Sequence, residues 1–148
     1  MRLPDHFDPA ERGARARAFF QEGYNCCQAV LLAFADVLES NGLAGEELLK
    51  TIGSGFGGGF GRMREVCGAF SGCTVLAGFL SPAVTPGQET RTANYALVQE
   101  LAADFRERKA EGPVPSERTA EYYRKRPCPE IVCNAATLVA EKMKEAAR

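Results

Sequence analysis

Six cysteines occur in this chain, at positions 26, 27, 67, 73, 128 and 133, and three of them fall where the local sequence begins a helix. Cys26 follows the capping residue Asn25, and Cys128 stands immediately before Pro129. Cys67 lies just beyond the glycine run Gly53-Ser-Gly-Phe-Gly-Gly-Gly-Phe-Gly61. A thiol at a helix N-terminus faces unpaired N–H groups and the positive end of the helix dipole, and both favour the thiolate. Thiolates attack disulfides and bind soft metals, so the pattern points to redox or metal chemistry on sulfur. The plainer role of a cysteine is that of a small buried hydrophobe. That role suits Cys27 and Cys73, which fall in apolar helical stretches, and suits Cys26, Cys67 and Cys128 less well. Cysteine is not a preferred N-cap, so helix stability does not account for Cys128.

Spacing limits how these sulfurs can work together. Cys67 and Cys73 are six apart and Cys128 and Cys133 five apart. At about 100° per helical residue the members of each pair point to different sides, and neither pair closes a disulfide within one helix. The side chains of Cys26 and Cys27 diverge as well. Any working pair must form between helices, with Cys26, Cys67 and Cys128 the natural set if three helix starts converge. No Cys-x-x-Cys occurs, which removes the thioredoxin motif and the usual zinc-knuckle spacing. The one histidine, His6, lies in the N-terminal segment, so neither a Cys–His nucleophile pair nor a mixed Cys/His zinc site is expected. Inter-helix dithiol–disulfide exchange, an iron–sulfur centre and another soft-metal site held by separated thiolates remain.

The glycine run allows positive φ and close backbone packing, which is sufficient reason for it as a connection. It also offers N–H groups and space beside Cys67 for an anion, a cluster sulfide or a partner's disulfide, with Gly57, Gly58, Gly59 and Gly68 as the cofactor-binding positions. Gly53-Ser-Gly-Phe-Gly-Gly58 formally matches a dinucleotide fingerprint, but no strand precedes it and no Gly-Lys-Ser/Thr follows. Arg62 and Arg64 could attract an anionic ligand.

The elements that must position these residues read as helices throughout. Asp8-Pro-Ala-Glu11 starts a helix that runs to about Gln21 and stops at Gly23. Asn25 caps a second, with Val30, Leu31, Phe34, Val37 and Leu38 on its apolar face, ended by Asn41-Gly42. Residues 46–52 form a short helix leading into the glycine run. Glu65 to Leu80 is the most apolar helix, and Gly68 and Gly72, four apart, open one face of it to another backbone. After the loop Ser81–Gly87, a long helix from Gln88 to about Lys109 buries Leu97, Val98, Leu101 and Phe105. Gly112–Ser116 is a second loop, Ser116 caps a short helix through Tyr122 and Tyr123, and Pro129 opens a last helix burying Val132, Ala135, Ala136, Val139 and Met143. With no repeat and no strand alternation, residues 1–148 read as one all-α domain, a helical bundle of about five to seven helices with a glycine-rich connection.

At 148 residues and 45% apolar content the chain is long enough for one full core. Its net charge of −1 is made of interspersed charges, so no nucleic-acid or membrane-surface partner is expected. No apolar run is long enough to span a bilayer, and the start lacks the pattern of a signal peptide, so the chain reads as cytoplasmic. Six cysteines are many for that compartment, where disulfide staples are rare.

The segments Gly23-Tyr-Asn-Cys26-Cys-Gln-Ala-Val30, Gly55-Phe-Gly-Gly-Gly59, Cys67-Gly-Ala-Phe-Ser-Gly72 and Cys128-Pro-Glu-Ile-Val132 resemble the C_GCAxxG_C_C family of bacterial redox-active proteins. The resemblance spans residues from about 10 to 145. It implies that Cys26, Cys67 and Cys128 are the family's first, glycine-motif and final cysteines. Members usually carry one more cysteine after the long helix, where this chain has Arg106 to Pro115 and none. Cys133 or Cys73 is then the source of a fourth sulfur. The expected site is Cys67 attacking with Cys26 or Cys128 resolving, or a metal set of Cys26, Cys67, Cys128, Cys133 and Cys73. The expected partner is a redox protein or a small thiol or disulfide. Leu43, Phe79 and Leu80 are available to a homodimer contact.

Overall fold

The computed structural model describes residues 1–108 and 128–147, and every regular element among them is helical. The described residues form seven regular helices: α1 (Pro9–Glu22), α2 (Cys26–Leu32), α3 (Ala35–Ser40), α4 (Glu46–Gly53), α5 (Gly68–Leu80), α6 (Gln88–Glu107) and α7 (Cys128–Ala146). Between α4 and α5 the glycine run makes a single turn at Gly57–Phe60 that is not regular helix, since Gly58 and Gly59 have positive φ. The second loop around Gly112 and the short helix through Tyr122 and Tyr123 lie outside the described residues.

α1 begins and ends as its sequence predicts. The Asp8 carboxylate accepts from the Ala10 N–H at 3.1 Å, Pro9 is the first helical residue, and Gly23 closes the helix with φ 114°. The predicted single helix from Asn25 to Asn41 is instead two, α2 and α3, broken at Ala33–Phe34. The cause is Arg12, buried in α1, whose guanidinium donates to the Ala33 carbonyl at 2.9 Å and pairs with Asp36. That carbonyl leaves the helical ladder, and Phe34, fully buried, turns the chain.

A second difference lies at the start of α5, expected near Glu65 and found at Gly68. Residues 58 to 62 are all left-handed, and Arg64 is too. The N–H groups of Arg64 and Glu65 bond back to the carbonyls of Gly58 and Gly59, so these residues are held by the turn.

The core joins α2, α3, α5 and α7, with Val30, Leu31, Phe34, Val37, Leu38, Leu76, Val132 and Val139 fully buried. Leu101 and Phe105 of α6 also reach it, whereas Leu97 and Val98 are half-buried at its margin. Phe79 and Leu80 pack partly against this core, while Leu43 is exposed.

Helix directions decide where the cysteines go. α1 and α2 are antiparallel across the turn at Gly23, with Arg12 reaching Ala33. α7 also runs against α1: Gly13 lies on Cys133 and Thr137, and Arg17, one turn later, meets Glu130 and Cys133. α5 runs along α2, with Gly68 against Cys26 and Cys27 and Gly72 against Cys27 and Val30. Hence α2, α5 and α7 are parallel and start at the same end of the bundle. None of the described helices is long and apolar enough to cross a membrane.

Candidate functional site

The start of α2 is fixed by a reciprocal cap. The Asn25 side chain accepts from the Gln28 N–H at 2.8 Å, and the Gln28 side chain accepts from the Asn25 N–H at 3.1 Å. The same two side chains tie this helix to α4 and the start of the glycine run. Asn25 Nδ2 donates to the carbonyls of Gly53 and Ser54, and Gln28 Nε2 donates to that of Lys50 at 3.0 Å. Cys26 and Cys27 are therefore the first two residues of a rigidly anchored helix.

Cys67 occupies the cap position of α5, and its carbonyl accepts from the Ser71 N–H at 2.9 Å. Its thiol makes no capping bond, so the sulfur is not committed to helix stability. The next residue, Gly68, faces α2 so closely that a Cβ there would strike the Cys26 sulfur and stand 2.8 Å from the Phe56 carbonyl oxygen. Gly72, one turn on, lets α2 approach in the same way: a Cβ there would be 2.9 Å from the Val30 side chain. The two glycines thus bring the Cys26 sulfur onto the residue beside Cys67. Both thiols are half-buried, within reach of solvent at the end of the bundle.

Cys27 and Cys73 complete a group of neighbouring sulfurs but lie in the core, each fully buried. Burial, with a smaller contribution from Cys26, pushes the Cys27 thiol up to about 12. Burial also raises Cys73, and the neighbouring Cys67 and Cys27 add to it. The Cys73 sulfur faces the Ala135 carbonyl oxygen of α7 at 3.6 Å. These are protonated, packed thiols, in keeping with the hydrophobic role their sequence context suggests.

Cys128 is the first described residue of α7, half-buried at the same end as the starts of α2 and α5. Cys133 lies further along α7, against α1. Arg17 Nη2 donates to its sulfur at 3.3 Å and to the Glu130 carboxylate at 2.9 Å, and Gly13 provides the space. Cys133 therefore faces α1 rather than the starts of α2 and α5. Among the described residues no three Cys, His, Asp or Glu side chains are grouped as metal ligands.

The expected cofactor-binding glycines each meet protein. A Cβ on Gly57 would be 2.7 Å from that of Asn25, on Gly58 2.8 Å from the Arg62 stem, and on Gly59 2.9 Å from the Glu65 nitrogen. The smallness of Gly68 serves the contact with Cys26. Much of the loop's hydrogen bonding is also internal, since Arg62, Met63, Arg64 and Glu65 donate to the carbonyls of Gly57, Phe60, Gly58 and Gly59.

Two contacts escaped the sequence reading. Gly13, in the middle of α1, was a visible sign of close approach, but nothing local identified Cys133 as what approaches it. Arg12 gave no signal at all, because its role needs Ala33 and Asp36 from other elements.

The profile of the family described as "Putative redox-active protein (C_GCAxxG_C_C)" matches residues 24–142, which takes in Cys26, Cys67 and Cys128. Neither the curated proteins nor the solved structures contain a match to this chain.

Proposed function

The chain belongs to the C_GCAxxG_C_C family, and on that premise we propose that it is a dithiol–disulfide redox protein whose working pair is Cys67 and Cys26. One observation carries this reading: the Cys26 sulfur lies against Gly68, the residue that follows Cys67, at two parallel helix starts, with both thiols half-buried. A disulfide joins sulfurs on separate backbones only when those backbones lie close, and the Gly68 and Gly72 contacts supply that closeness.

In the exchange, the Cys67 thiolate attacks one sulfur of a substrate disulfide, whose S–S bond breaks to release one thiolate. Cys26 then attacks the Cys67 sulfur of the mixed disulfide and releases the second thiolate. The protein gives up two electrons and two protons and gains the Cys26–Cys67 bond, and the substrate leaves as two thiols. Run backwards, with a dithiol donor of lower potential, the same steps restore the reduced pair. Cys128, at the same end of the bundle, is the alternative resolving thiol.

A second reading uses the same residues as ligands of an iron–sulfur cluster or another soft metal, with Cys73 or Cys133 as the fourth sulfur. The common direction of the three helix starts favours it. It requires a side-chain rearrangement, because the described residues do not group three ligands.

The deciding experiment is an anaerobic visible spectrum with iron and acid-labile sulfide assays, followed by mapping of disulfides after mild oxidation. Colourless protein that yields a reversible Cys26–Cys67 linkage supports the dithiol reading. Brown protein with matched iron and sulfide replaces it with the cluster. Cys67→Ser is expected to abolish the linkage, and its survival as a Cys26–Cys128 bond would move the attacking role to another thiol.

A further inference from the structure

The five residues that precede Cys67 take no part in the exchange steps. Arg62, Met63, Arg64, Glu65 and Val66 are consecutive and exposed, and they lead directly into the cysteine. Met63 is 68% exposed and Val66 46%, so this rim is open to solvent.

The two arginines are held there against the preference of their backbones. Arg62 has φ 67° and Arg64 φ 59°, the left-handed region that a non-glycine residue disfavours. The Arg62 N–H bonds to the Gly57 carbonyl at 3.1 Å and the Arg64 N–H to that of Gly58 at 3.3 Å. The stem of Arg62 also lies against Gly58, where a side chain would collide with it. Among the described residues neither guanidinium has an ion-pair partner. Lys50, whose carbonyl meets Gln28 of α2, is by contrast paired with Glu46. The charges on the rim are thus two unpaired cations and one carboxylate, Glu65.

From this we infer that the site selects anionic disulfides, those carrying carboxylates near the sulfur atoms, and that Arg62 and Arg64 are the specificity-determining residues. The inference rests on the dithiol reading above. A carboxylate held by the rim raises the local concentration of its disulfide beside Cys67. It also offsets the repulsion that an anionic substrate meets at a thiolate nucleophile.

The test is the rate at which three small disulfides oxidise the reduced protein: 3,3′-dithiodipropionate as dianion, 2-hydroxyethyl disulfide as neutral compound and cystamine as dication. Each rate is divided by that for 2-mercaptoethanol, which removes the intrinsic reactivity of the disulfide. At about 20 mM salt the dianion is expected to exceed the dication by roughly tenfold, and at about 0.5 M salt the ratio should fall towards one. Arg62→Gln with Arg64→Gln leaves Glu65 alone and is expected to reverse the order, while Glu65→Gln should widen it. The neutral compound gives, for each variant, the rate against which its charge preference is read. A dianion preference that is absent, or that survives loss of both arginines, overturns the inference. If even the neutral disulfide yields no Cys26–Cys67 linkage, the dithiol reading fails with it.

Discussion

At the scale of single residues, the six cysteines divide by burial rather than by motif. Cys27 and Cys26 are adjacent in sequence, yet the first is sealed in the core and the second is at the open end of the bundle. Thiol reagents should therefore leave Cys27 and Cys73 unmodified in the native protein and reach them only on unfolding, which mass mapping of labelled peptides can read. The same burial sets a pH dependence. Below the ordinary thiol value of 9.0 the folded and unfolded chains both hold the Cys27 proton, and its effect on stability is nil. Between 9.0 and about 12 the unfolded chain loses that proton while the folded chain keeps it, so stability falls as pH rises. Cys73 acts with the same sign. The expected loss is about 1 kcal/mol per thiol between pH 8 and pH 10. Urea midpoints of the wild type and of Cys27→Ala with Cys73→Ala measure it. The wild type should have the steeper fall, and parallel curves would show that these thiols ionise freely in the fold.

At the scale of elements, glycine separates contact from mere helix. Gly68 and Gly78 both lie in α5, but the first touches Cys26 and Phe56 while the second faces open space. Gly68→Ala is expected to destabilise by about 2 kcal/mol and to suppress the Cys26–Cys67 linkage, because the added carbon must push α2 and the glycine run away. Gly78→Ala should stabilise by about 0.5–1 kcal/mol, since alanine loses less entropy in a helix. Denaturant curves of the two variants give opposite signs if the packing is as described. The break between α2 and α3 makes a further prediction. Asp36 is half-exposed, but its partner Arg12 is buried and also holds the Ala33 carbonyl. Burial alone would raise the Asp36 carboxyl, and the hydrogen bond and charge of Arg12, helped by Arg15, reverse this and hold it below its ordinary value. Asp36→Ala strands the guanidinium and should cost roughly 2 kcal/mol, less than for a fully buried pair because water reaches the carboxylate. A change within the error of a denaturant titration would mean that the Ala33 carbonyl satisfies Arg12 by itself.

At the scale of the whole molecule, a Cys26–Cys67 bond would close a loop of roughly forty residues and staple α2 to α5. Chain-entropy arguments put the gain at up to about 4 kcal/mol, reduced by any strain in the native geometry. The oxidised protein should therefore melt higher than the reduced one, and a lower melting temperature would mean that the bond distorts the bundle. The sequence by itself determined much of this architecture. The limits of α1, the cap at Asn25, the close-contact face of Gly68 and Gly72 and the core positions of α7 follow from local rules of capping and periodicity. The three cysteines at helix starts were legible for the same reason, since a helix N-terminus is a local feature. Tertiary structure decided the break at Phe34, which depends on an arginine from another helix, and the late start of α5, which depends on carbonyls turned back by a left-handed loop. It also decided what each sulfur meets. Cys26 comes to Gly68, the residue after Cys67, because two helices pack in parallel through glycine, while Cys133 is drawn to Arg17 because α7 packs antiparallel to α1. Spacing along a chain fixes the direction of a side chain on its own helix, but its neighbour on another helix is set by how those helices cross.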